Sequence, residues 1–242
     1  MSLRVAVTRA QPEADATAAR LRAMGAEPVL APLLRIEHRP FDTNLTGVQA
    51  LLFSSGNGVR AYACASETRD IIALGVGDVT AAAAHHAGFA DVRSADGDVT
   101  ALATLAQAAL SPNGGKLVHI SGAHAAGDLA GALKGAGFEA ERRVAYEAQA
   151  VTDLPPALAA AIDIVLFHSA RAAETYITLG APHARQRIAA CLSPAIAEIA
   201  ARVNWARLIV ASRPREEALL EAALGANSPL LAQVLEPPRR EP

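Results

Sequence analysis

Leu51-Leu52-Phe53-Ser54-Ser55 is a short apolar run closed by two hydroxyls, and Gly56-Asn57-Gly58 follows it. The run reads as a strand that hands over to a helix near 57–66. The same unit returns as Val165-Leu166-Phe167-His168-Ser169, followed by a helix near 171–179. Outward from these two, Val5-Ala6-Val7, Ile71–Val76, Leu117–Ile120, Ile188–Leu192 and Leu208–Val210 are further short apolar runs separated by Ala-rich stretches. Helices are expected from Pro12 to Met24 and near 79–87, 99–110, 125–136, 194–202 and 215–224. Pro12 suits a first turn and Gly25 a C-terminal stop. Strands alternating with helices predict an α/β chain with parallel sheets covered by helices.

A longer repeat underlies this pattern. Val5-Ala6-Val7-Thr8, with Leu21 and Gly25 beyond it, matches Val118-His119-Ile120-Ser121 with Leu133 and Gly137. The unit around Leu51–Ser55 and Val76-Gly77-Asp78-Val79-Thr80-Ala81 matches Val165–Ser169 and Leu192-Ser193-Pro194-Ala195-Ile196-Ala197. The chain therefore runs a, b, a′, b′, and two similar α/β lobes with a cleft between them are expected. The repeat leaves open whether a joins b or b′. Leu33–Glu37 and Arg143–Gln149 occupy matching places after a and a′, each behind a short strand, Pro28–Leu30 or Phe138–Glu141. They are the expected crossings between lobes.

Six strands end on a hydroxyl: Thr8, Ser54-Ser55, Ser121, Ser169, Ser193 and Ser212. The carboxyl ends of parallel strands form the ligand edge of an open α/β sheet. A hydroxyl there caps the following helix, whose first N–H groups and partial positive charge suit an anion. Capping alone accounts for any one of them. The six together predict an anion-binding edge.

Composition narrows the chemistry. With 242 residues, 52% hydrophobic and a net charge of −2, the chain affords two cores and is not disordered. No basic surplus favours a nucleic acid, and no apolar run approaches the roughly 20 residues of a membrane span. The N-terminus does not read as a signal peptide, and Cys64 and Cys191 form no metal spacing or paired motif. A cytoplasmic location and a monomeric state are expected. The basic residues are almost all Arg, with Lys116 and Lys134 the exceptions. His85, His86, His119, His124 and His168 make no HExxH or His/Cys cluster. Gly56-Asn57-Gly58 and Gly75-Val76-Gly77 do not complete a dinucleotide fingerprint, Gly114-Gly115-Lys116 opens a strand, and no GxSxG elbow exists. An organic acid bound by caps and arginines, with chemistry that needs no cofactor or metal, is what remains.

Several pieces in order resemble the uroporphyrinogen-III synthase family. They are Val7-Thr8-Arg9, Leu52–Val59, Val76–Ala81 with Gly88, Ile120-Ser121-Gly122, Asp128-Leu129, Val144-Ala145-Tyr146-Glu147, Leu166–Ser169 and Ser193-Pro194. The resemblance runs from about residue 3 to about 224. It implies two flavodoxin-like parallel-sheet lobes, intertwined and joined by a two-stranded ladder, with a joined to b′ and b to a′. One lobe would hold 1–35 and 149–242 and the other 38–145, with linkers about 34–37 and 143–149. It implies a small-molecule substrate, the linear tetrapyrrole hydroxymethylbilane with its carboxylate side chains. The product is uroporphyrinogen III, formed by inverting the last ring and losing water.

On that resemblance Tyr146 is the catalytic candidate, a phenol able to protonate a leaving hydroxyl. Ser55 and Ser169, equivalent in the repeat, are assigned to substrate carboxylates. Thr8, Arg9, Thr80, Ser121, Gly122, His168 and Ser193 complete the substrate-binding set. Two departures from the family stand out. Ile196 occupies a position where relatives often carry Thr, and Ser121 one where many carry Arg. A non-catalytic two-lobed protein that holds an anionic ligand is the alternative. Tyr146 favours the enzyme and Ile196 the binder.

Overall fold

The structure, a computed structural model, describes residues 2–124 and 127–225. The end of the Gly225–Pro242 tail, whose Glu236-Pro237-Pro238-Arg239-Arg240-Glu241-Pro242 sequence reads as disordered, lies outside the described residues. In chain order the elements are β1 (Arg4–Val7), α1 (Glu13–Ala23), β2 (Glu27–Leu30), β3 (Leu34–His38), β4 (Val48–Phe53), α2 (Gly56–Ala65), β5 (Ile72–Gly75), α3 (Asp78–His86), β6 (Val92–Ser94), α4 (Val99–Ala109) and β7 (Lys116–Gly122). They continue with α5 (Leu129–Gly135), β8 (Ala140–Ala150), β9 (Ile164–Phe167), α6 (Ala170–Thr178), β10 (Ile188–Cys191), α7 (Pro194–Ala200), β11 (Arg207–Val210) and α8 (Glu216–Gly225). None of the described helices is long and apolar enough to cross a membrane.

The chain divides into two compact units. Unit 1 is Met1–Arg35 with Gln149–Pro242, and unit 2 is Ile36–Ala148. Unit 1 holds a parallel sheet in the order β11-β10-β9-β1-β2. Val5, Val7, Ile164, Leu166 and Leu219 are among the residues of one of its cores and are wholly buried. Unit 2 holds β8-β7-β4-β5-β6, also parallel, with β3 added beyond β8. One face of that sheet packs Leu52, Leu74 and Leu117 on Leu102 and Leu133. The other packs Phe53, Val118 and Ile120 on Val59 and Tyr62.

The repeat is now spatial. β1 hydrogen-bonds to β9, so unit a joins b′, and β7 hydrogen-bonds to β4, so a′ joins b. Unit 2 has the strand order of unit 1 with the chain entering at a different strand. Both have the flavodoxin-like order once this permutation is allowed for. Local chemistry repeats too. α1 and α5 end at left-handed glycines, Gly25 (φ 81) and Gly137 (φ 86). In each the next amide closes on the helix, Ala26 to Leu21 O at 3.0 Å and Phe138 to Leu133 O at 3.1 Å. In each b-type unit the strand's Phe meets a helix Tyr edge-on, Phe53 with Tyr62 at 6.2 Å and Phe167 with Tyr176 at 5.6 Å.

Three expectations need correction. Phe138–Glu141 is not a short strand of its own ahead of Arg143–Gln149: Phe138 and Glu139 precede the strand, and one strand, β8, runs unbroken from Ala140 to Ala150. β3 lies antiparallel along it, with Arg39 N donating to Ala145 O at 2.8 Å and Val151 N to Leu33 O at 3.1 Å. The two-stranded ladder is thus the edge of a six-stranded sheet, continuous with it rather than separate. Second, Ser121 does not precede a helix. It lies inside β7, and Asp128 caps α5 instead, accepting from Gly131 N at 2.9 Å. Third, Thr8 is not a cap, because Pro12 holds the position before α1.

Candidate functional site

In each unit the sheet order reverses direction at one pair of strands, β1 and β9 in unit 1 and β7 and β4 in unit 2. Ligands of open α/β sheets sit outside the carboxyl ends at such a point. Most of the sequence candidates lie there.

In unit 2, Ser55 caps α2, its Oγ accepting from Asn57 N at 3.1 Å. α2 starts close against β7 because Gly58 has no side chain: a Cβ there would meet Ile120 O at 2.7 Å. Ser54 Oγ and His119 Nε2 are 2.9 Å apart. His119 is 2% exposed, and its Nδ1 is buried with no partner among the described residues. Burial, with Arg142 adding to it and Asp128 opposing, lowers the His119 pKa to about 4. The imidazole is therefore neutral at pH 7. Thr80 sits in the first turn of α3 and is 5% exposed, so its side chain faces the core.

Tyr146 is aimed by an irregularity. The register of β8 on β7 slips between Ser121 and Gly122, so Ser121 lies beside Val144 and Gly122 beside Tyr146. Bulges redirect side chains in this way. The ring lies on Gly122: a Cβ there would be 2.7 Å from Cε2 and 3.1 Å from the hydroxyl. The ring is half-buried against the core, and the phenol has no hydrogen-bond partner among the described residues. Ser121, by contrast, is 1% exposed. Its hydroxyl donates to Gly122 O at 3.3 Å and accepts from Arg142 Nε at 2.8 Å.

In unit 1, Ser169 caps α6, accepting from Ala172 N at 3.2 Å. Ser193 precedes α7, and its hydroxyl caps nothing. Ile196 is 6% exposed in that helix. Thr8 is fully buried and donates to Leu166 O at 2.5 Å, tying β1 to β9. Arg9 is not free: its Nη1 lies 3.2 Å from Glu216 Oε1. The same carboxylate accepts from Thr17 Oγ1, and its other oxygen from Arg20 at 2.5 Å. His168 Nε2 stands 3.5 Å from Glu216 Oε1, and neither ring nitrogen has a hydrogen-bond partner among the described residues. Burial, opposed by Glu216 and assisted by Arg9, pushes the His168 pKa below its ordinary value. Burial pushes Glu216 up, but His168, Thr17 and the Arg9 charge outweigh it and hold the carboxyl at about 2.

Sequence reasoning missed Glu216, His119 and Arg142. The repeat could have pointed to His119, which sits on the strand matching β1. Nothing in the sequence marked Glu216 or Arg142, since their roles depend on which strand neighbours which. A hollow of about 530 Å³ in unit 1, lined by His183, Arg185 and Asn204 among others, lies before β10 and β11, at the end of the strands away from Ser169 and Ser193. Among the described residues no group of three or more His, Cys, Asp or Glu is placed to hold a metal ion.

The family described as HEM4, uroporphyrinogen-III synthase HemD, matches residues 15–221. Among solved structures, the uroporphyrinogen-III synthetase of Helicobacter pylori 26695 is similar at 17% identity and a TM-score of 0.67, over 94% of this chain and 100% of that one. A mutant uroporphyrinogen III synthase of the extremely thermophilic bacterium Thermus thermophilus is similar at 19% identity and a TM-score of 0.51, over 93% of this chain and 100% of that one. These two likenesses bear on the fold. No curated relative matches the chain.

Proposed function

Because the chain belongs to the uroporphyrinogen-III synthase family, we propose that it cyclises hydroxymethylbilane to uroporphyrinogen III, inverting the terminal pyrrole and releasing water. The observation that carries the reading is Tyr146, a phenol with no described partner, set on Gly122 at the carboxyl edge of unit 2.

The chemistry asks little beyond positioning. The lone pair of the nitrogen in the first pyrrole, which bears the hydroxymethyl group, expels that group's hydroxyl. Tyr146 gives that oxygen a proton, and water leaves. The azafulvene cation that results is attacked by the last pyrrole at the α carbon that already bears its methylene bridge, giving a spiro-linked cation. That bridge bond then breaks to leave a new azafulvene cation, whose methylene is captured by the free α carbon of the now inverted pyrrole, forming the carbon–carbon bond that closes the macrocycle. The carbon then loses a proton, which restores the phenol. Holding a curled substrate contributes about 7–11 kcal/mol in favourable cases. Helix N-termini at Ser55 and Ser169 offer neutral donors to the carboxylates. The reading includes a reducing cytoplasm, which the two free cysteines support, one exposed and one buried.

The test is product isomer analysis. Freshly made hydroxymethylbilane is incubated with the protein, and the products are oxidised and separated. Type III product is expected. Type I alone, the uncatalysed outcome, would leave a protein that binds but does not cyclise. Buried Ile196, without a hydroxyl, is what favours that second reading.

A further inference from the structure

Arg142 is an arginine at the strand edge of unit 2 whose charge no described carboxylate answers. It projects from β8 and lays its guanidinium across the end of β7. Nε donates to Ser121 Oγ at 2.8 Å, and Nη2 to Gly122 O at 2.6 Å and Ala123 O at 2.9 Å. All three acceptors are neutral. Nη1, with two further N–H groups, has no partner among the described residues, and no described carboxylate lies in ion-pair range of Arg142. Other arginines differ. Arg143 is 2.5 Å from Glu141, Arg93 is 2.9 Å from Asp91, and in unit 1 Arg9 and Arg20 share Glu216. Asp128, whose field reaches His119, turns its carboxylate to the amide of Gly131.

We propose that Arg142 receives a carboxylate of the substrate in unit 2, taking the place at the end of β7 where Ser121 supplies no charge. The proposal rests on the function above. Three anchoring bonds fix the guanidinium before any ligand arrives, so little side-chain entropy is lost on binding. His119, beside Arg142 in the strand register, is neutral and adds no second charge there. Gly122 is the shared floor: Arg142 grips its carbonyl, and the Tyr146 ring lies on its Cα side. A carboxylate on Nη1 is thus held beside the phenol. Ser121 acts as the seat of the arginine, and its own hydroxyl does not reach the ligand.

Uroporphyrin III, a stable polycarboxylate, is the binding probe, read by its fluorescence against wild type, Arg142→Gln and Arg142→Met. Gln keeps a neutral donor over Ser121 and guards against loss of folding, which thermal melting monitors. Both variants are expected to bind about tenfold more weakly, the low end for a charge-assisted hydrogen bond. Arg142→Lys should recover part of the loss. Added salt should weaken wild-type binding more steeply than that of the neutral variants, a difference that a mere brace for the strand end would not produce. Equal affinity and equal salt dependence in a folded Arg142→Gln would overturn the proposal. Wild type that binds the probe but yields no type III product would count against the cyclisation and leave the binding result standing.

Discussion

Gly122 and Tyr146 define the site at the scale of single residues. A methyl at Gly122 would lie 2.7 Å from Cε2 and 2.8 Å from Cζ of the ring, so the phenol occupies its place only above a glycine. Tyr146→Phe should lower kcat by about a hundredfold, the lower range for general acid catalysis, with unchanged thermal melting. Gly122→Ala should lower kcat in the same direction by displacing the ring. Single-turnover kinetics on both variants checks this, and wild-type turnover in Tyr146→Phe would remove the acid role. His119 sets a pH dependence of stability. Its pKa falls from 6.5 to about 4 on folding, so the unfolded chain binds the extra proton between those values. The stability it contributes is present above pH 6.5 and is lost as pH falls towards 4. His119→Gln should flatten the stability profile in that window, measured as the difference from wild type in denaturant melts. Parallel profiles would show that the imidazole titrates alike in both states. At this scale the sequence located hydroxyls at strand ends but not their partners. Ser121 is engaged by Arg142, Arg9 by Glu216, and Thr8 by Leu166, and each of these partners comes from a strand or helix distant along the chain.

Elements were legible where a local signal starts or stops them. Ser55 and Ser169 cap α2 and α6 at the expected places, since a cap needs only amides two or three residues ahead. α5 starts later than the expected 125–136, because Asp128 does the capping. β8 hides in the sequence as two pieces because its Glu141-Arg142-Arg143 stretch is polar, yet a sheet edge tolerates charge. The matched b-type units differ in one buried hydroxyl. Tyr176 donates to Pro182 O at 2.6 Å and accepts from buried Arg187 at 3.1 Å, whereas the Tyr62 hydroxyl is buried with no partner among the described residues. Tyr62→Phe should therefore raise stability by about 1 kcal/mol, and Tyr176→Phe should lower it by about 1–3 kcal/mol. Chemical denaturation of the pair checks the opposite signs; a loss in both would mean that Tyr62 has a water partner.

For the whole molecule, the a, b, a′, b′ pattern was readable, but its pairing was not. Apolar strands from a and a′ are interchangeable to the eye, and backbone hydrogen bonds carry no sequence label. Only the family resemblance pointed to a with b′, and β1 on β9 and β7 on β4 bear it out. Two permuted copies of one sheet each have a switch point edged by a capping serine, Ser169 in unit 1 and Ser55 in unit 2. In unit 1 Glu216 answers Arg9 and Arg20, while in unit 2 Arg142 has no carboxylate and the Tyr146 phenol no hydrogen-bond partner among the described residues. The most direct measurement follows hydroxymethylbilane with the protein present far below the substrate concentration. Type III uroporphyrinogen should accumulate over many turnovers, faster than spontaneous closure. Product of type I alone, or type III only in proportion to the protein added, would contradict catalysis by this chain.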